Sequence, residues 1–256
     1  VIYPQATAPQ APVNPTFGLG LGLGGAGSGF SPVSIAGLLL WAKADAGTWQ
    51  LSTLSTPAVA DGDPVGGWVD QAGLGHNLLQ ATGANRPTLK LAIQNSLPII
   101  RFNGSNNYLR TATYTDNQPL TRFVVCHLLS VGAPATNDVM VDGFSANTTL
   151  FFSDTTPQTG IYAGAQIVDG ANDPTSWGVA TLQYNTTTSI YRWNRVQKAS
   201  GSVSSTNSAG MTVGANGAGS RATQIDVGEV IEYTGALSAY QMLVVETYLK
   251  NRWGTP

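Results

Sequence analysis

The sequence predicts an all-β protein, an antiparallel two-sheet sandwich with one C-terminal helix and an extended N-terminal arm. Three observations lead there. From Ser34 onward the chain is a succession of short apolar or alternating runs, punctuated by Gly, Asn, Asp and Pro. A single helical pattern stands out, at residues 238–253. Before residue 34 the chain has neither pattern and no charge, the first charged residue being Lys43.

The arm comes first. Residues 1–33 divide into a Pro/Ala/Gln stretch, Val1 to Pro15, and a glycine tract, Phe17 to Phe30. Proline favours extended backbone and glycine costs the most entropy to order, so neither stretch builds a core alone. The arm is expected to gain order either on another chain, burying Tyr3, Phe17 and Phe30 there, or by packing back on its own domain, and the first is the expectation carried forward. Its string Gly20-Leu-Gly-Leu-Gly-Gly25 matches the dinucleotide-binding pattern, but that chemistry needs a preceding strand and a following helix. The flanks offer neither, and no cofactor is expected.

Residues 34–256 form the predicted sandwich. Strands are expected at residues 37–42, 98–102, 122–130, 149–152, 160–168, 177–184, 189–196, 211–214 and 225–233. Phe123 to Leu129 is apolar on both faces, as a central strand would be. Ile225, Val227, Ile231 and Tyr233 alternate with Asp226, Gly228 and Glu232, the pattern of a strand with one wet face. The helix is predicted from Ser238, an N-cap followed by Gln241 in a capping-box spacing, to Trp253, with Gly254 as its stop. Met242, Val245 and Leu249 fall on its apolar face, and Leu237 pairs with Met242 as a hydrophobic staple.

Composition excludes several functions. Charged residues are 10% of 256 and the net charge is −2, so there is no basic field to hold phosphates and no nucleic-acid partner is expected. No apolar run approaches the roughly 20 residues of a membrane helix. One cysteine, Cys126, forbids an intrachain disulfide and a cysteine-rich zinc site. Its neighbour His127 points to the opposite face of a strand, so the two make no dyad. His76 stands in a turn-rich loop, and no metal site is expected. No secretory signal is legible at Val1-Ile2-Tyr3-Pro4.

Sugar chemistry leaves two routes. Hydrolysis needs two carboxylates facing one glycosidic bond. Glu229 and Glu232, three apart on a strand, face opposite ways. Asp138 and Asp142 share a face if extended, but read as turn-capping groups. Binding needs an aromatic platform beside short polar side chains. The loop before Trp177 is rich in these, and Asn172, Asp173 and Trp177 are the candidate glycan-binding residues. Tyr162, Tyr191 and Trp193 lie on neighbouring predicted strands.

Leu39 to Gly47, Trp68-Val-Asp-Gln-Ala-Gly-Leu-Gly-His-Asn77, Arg86-Pro87, Leu97 to Gly104 and Leu109 follow in an order that resembles the concanavalin A-like, laminin-G-type domains of bacterial and phage proteins. Ala72 stands where that pattern has serine. Gly228 to Ser238 and Tyr248 to Gly254 resemble the closing strand and helix. The resemblance covers about residues 36–254 and implies a jelly-roll. It implies no single function. The catalytic Glu-x-Asp-x-x-Glu strand of related glucanases has no counterpart here, and Trp68 and Asp70 read as a packed indole and a turn-capping carboxylate.

Together these features predict a non-enzymatic bacteriophage virion protein, a capsid decoration or a tail or fibre component. Its arm would be held by other virion proteins, it would form a homo-oligomer, and its jelly-roll would project toward a host-surface glycan. The alternatives are an extracellular carbohydrate-binding module and, behind it, a polysaccharide hydrolase.

Overall fold

A computed structural model describes residues 29–130, 138–154, 158–170 and 173–256. Tyr3, Phe17 and Asn172 lie outside these residues. Among the described residues the chain folds as two antiparallel sheets packed face to face, with one α-helix, as the apolar patterning predicts.

The first sheet runs from Val196–Gly201 through Ser189–Trp193, Gly178–Tyr184, Leu120–Leu128, Gln224–Thr234 and Leu97–Asn103 to Thr88–Gln94. The strand Leu38–Lys43 also pairs with Gln224–Thr234. Leu120–Leu128 is central and buried along nearly its whole length, as its two apolar faces require. The second sheet is built from shorter strands, among them Gln166–Asp169, Gln158–Tyr162, Leu150–Asp154 and Asp138–Asp142. Trp68, Phe102, Cys126, Phe151 and Tyr184 are buried in the layer between the sheets. Burying each such side chain contributes about 1.5–3 kcal/mol.

The helix Ala239–Trp253 forms where its caps place it. The Ser238 hydroxyl accepts from the Gln241 amide, and the Gln241 side chain accepts from the Ser238 amide. Gly254 closes it at φ +61°, a left-handed conformation that glycine adopts without a side-chain clash. Met242, Val245 and Leu249 are buried against the outer face of the first sheet, with Ile99, Val125 and Ile231.

Two predicted strands are hairpins. The run 160–168 breaks at Gly164, φ +104°, into Gln158–Tyr162 and Gln166–Asp169. The run 189–196 turns at Asn194 and Arg195, φ +50° and +69°, before Val196–Gly201. Successive left-handed residues match the twist of a two-residue hairpin.

The strand Gln224–Thr234 also departs from expectation, being buried on both faces. A bulge between Val227 and Glu229 shifts its phase. Ile225, Val227 and Val230 face the inter-sheet core, while Ile231 and Tyr233 face the helix. The charged residues that suggested a wet face are paired inside. Glu232 meets the buried Arg122, which also reaches Ser208, the Thr149 hydroxyl at 2.8 Å and Asp116 at 3.3 Å. On the helix side Glu229 accepts from the indoles of Trp41 (2.6 Å) and Trp253 (2.8 Å) and from the Tyr248 hydroxyl (3.0 Å).

Candidate binding row on the outer sheet face

Strand register builds the candidate site. On the outer face of the first sheet, Asp226 lies opposite Arg101 on one side and His127 on the other. The pairing of Gly178 with Cys126 sets Trp177 beside His127. At the far edge Thr88 lies opposite Arg101. Thr88, Arg101, Asp226, His127 and Trp177 thus form one row across the sheet, at the margin of the cluster beneath the helix.

The row is locked at its centre and open at its ends. Arg101 donates to both carboxylate oxygens of Asp226, from Nε and from Nη2, each at 2.7 Å. The paired Asp226 carboxylate raises the Arg101 pKa further above its ordinary value. Asp226 is buried, whereas Arg101, His127 and Trp177 are half-buried. The His127 and Trp177 rings lie 5.6 Å apart, tilted by 47°. With the guanidinium charge balanced by Asp226, the row offers flat aromatic area and hydrogen-bonding groups with little net charge.

The predicted site residues fare differently. Trp177 is half-buried and packs against the cluster under the helix. Asp173 begins a short turn, Asp173–Thr175, that packs against Leu120–Leu128. Phe30 is partly buried and packs on this chain's own Tyr248, with ring centroids 5.7 Å apart. Tyr191 and Trp193 belong to the inter-sheet core. Arg101 and Asp226 escaped the sequence reading, although Asp226, flanked by inward-facing Ile225 and Val227, had to point outward.

The other candidates serve the fold. Cys126 is buried between the sheets, and burial pushes its thiol up. Glu229 and Glu232 do face opposite ways. Burial raises the Glu229 pKa despite its donors, and Glu232 is held by Arg122. Asp142 accepts from the amides of Gly143, Asn147, Thr148, Thr149 and Gly217, tying two loops together. Asp70 accepts from the amides of Trp41, Ala72, Leu74 and His76 around the Trp68 loop, and Trp68 is fully buried. Among the described residues no cluster of His, Cys, Asp and Glu is arranged to hold a metal ion, and no helix is long and apolar enough to cross a membrane.

This architecture defines a two-sheet antiparallel β-sandwich. The binding domain of Paraclostridial Mosquitocidal Protein 1 superposes with a TM-score of 0.59 at 12% identity, over 88% of this chain and 56% of that one. The botulinum neurotoxin serotype D binding domain gives 0.57 at 10% identity, over 86% and 55%. Trypanosoma rangeli sialidase, in complex with sialic acid, gives 0.53 at 13% identity, over 87% of this chain and 34% of the enzyme. The chain therefore spans about a third of the sialidase and just over half of each of the two binding domains. No family model and no curated protein sequence matches it.

Proposed function

We propose that this chain is a non-enzymatic glycan-binding β-sandwich that a bacteriophage particle displays in many copies. The row from Arg101 to Trp177 carries the reading. An indole covers the apolar face of a sugar, while Arg101 and His127 reach its hydroxyls from the adjoining strands. A flat, half-open row gives weak individual sites, and many copies raise avidity without new contacts. The likeness in fold to the binding domains of Paraclostridial Mosquitocidal Protein 1 and botulinum neurotoxin serotype D, and to a sialidase, supports binding as the use of such a sandwich. The virion setting rests on the arm, whose Tyr3 and Phe17 would lie against a neighbouring virion protein.

The test is a glycan array probed with the full chain displayed multivalently, as wild type, Trp177→Ala and Arg101→Gln. Binding to a defined glycan is expected to fall at least about tenfold in each variant, the equivalent of 1.4 kcal/mol. No binding by wild type, or binding indifferent to both substitutions in folded protein, overturns the glycan reading. Co-purification with assembled particles, lost on replacing Tyr3 and Phe17 by serine, tests the virion setting separately.

A further inference from the structure

On the solvent side of the helix lies an open groove of about 1000 Å³, walled by Phe30, Tyr240, Leu243, Val244, Thr247 and Tyr248. It is apolar where a surface helix should be wet: Tyr240 is 55% exposed and Leu243 45%. We infer that it seats the chain's own Leu19, Leu21 and Leu23, docked within the same molecule.

Four observations support this occupant. Phe30 already rests on Tyr248 at one end of the groove, so the chain preceding it starts there. The six residues between Leu23 and Phe30 reach roughly 20 Å when extended, and Tyr248 to Tyr240 spans only about 12 Å of helix. The leucines alternate with glycine, so in extended backbone all three face one side and the bare glycines face the other. Finally, the arm carries no charge before Lys43, and a largely apolar groove asks for none. The short tether favours the arm of the same molecule over that of a second copy, because it holds the leucines at an effective concentration of about millimolar.

The experiment places a thiol in the groove. In full-length Leu243→Cys, maleimide labelling of the new thiol is measured with the arm unaltered and with Leu19→Ser, Leu21→Ser and Leu23→Ser combined. Cys126 is fully buried and stays silent. Labelling is expected to be about tenfold slower with the leucines present, as a seat filled nine-tenths of the time requires. The same ratio is expected after roughly hundredfold dilution, since docking within one molecule ignores concentration. Equal rates overturn the inference. Protection that disappears on dilution overturns it too, by assigning the groove to a second copy's arm. Tyr240→Cys, one turn away, repeats the measurement independently.

Discussion

The indole of Trp253 lies directly on the backbone of Gly228: a β-carbon there would sit 2.6 Å from its Cη2 atom. The contact joins the end of the helix to the bulge that changes the phase of Gln224–Thr234. At the same place Trp253 donates to Glu229, so aromatic packing, bulge and buried carboxylate form one unit.

Gly228→Ala should therefore force the indole off the strand. Overpacking of this kind costs about 1–3 kcal/mol. Urea unfolding followed by tryptophan fluorescence should show a lower midpoint at an unchanged slope. A variant as stable as wild type would mean that the helix end yields freely.

Arg122 should prove more costly to lose. It is fully buried and holds Glu232, Asp116, Thr149 and Ser208 between the sheets. Arg122→Met leaves the Glu232 carboxylate buried without its cation, a change worth about 3–5 kcal/mol. Adding Glu232→Gln should recover part of the loss, because the stranded charge goes with it. Denaturation of the two variants side by side checks the order of stability.

Asp116 should give the protein an unusual response to acid. Burial first, then the Glu232 carboxylate, push it up to about 6, against the pull of Arg122. The folded state thus holds this proton more tightly than the unfolded chain, whose aspartates titrate near 3.9. Between about pH 6 and pH 4 the folded state binds more protons here, so this group adds stability as pH falls, by up to about 3 kcal/mol. Asp116→Asn removes the contribution. The difference in unfolding free energy between wild type and Asp116→Asn should grow in favour of wild type on acidification. A difference that shrinks would contradict the assignment.

What the sequence reveals follows the range of the interactions involved. The helix is legible to the residue because each end is fixed locally: Ser238 and Gln241 lie three positions apart at its start, and Gly254 directly follows its last residue. The central strand is legible because Phe123 to Leu129 carries its two buried faces in its own composition. The hairpin at Asn194 and Arg195 is missed because its turn is only two residues long and carries no Gly or Pro to mark it. The dry second face of Gln224–Thr234 is missed because the partners of Asp226 and Glu232 are Arg101 and Arg122, more than a hundred residues earlier. The candidate row fails to show for the same reason. Its members are scattered from Thr88 to Asp226, and only strand register brings them together, whereas Trp177 draws notice from its local loop.

The placement of Gln224–Thr234 also dictates the order of events at synthesis. Along one edge it pairs with Leu120–Leu128. Along the other it is shared, Leu97–Asn103 taking the half before the bulge and Leu38–Lys43 the half after it. The strand that completes the sheet is thus translated after every strand it joins. At about 5–20 residues per second, the earlier strands wait for several seconds with unsatisfied edges beside the ribosome. Closure is a late, long-range event of the kind that makes β-proteins slow to fold. A nascent chain stalled before residue 224 should therefore be open to chaperones and proteases, and release of Gln224–Thr234 should end that exposure in one step.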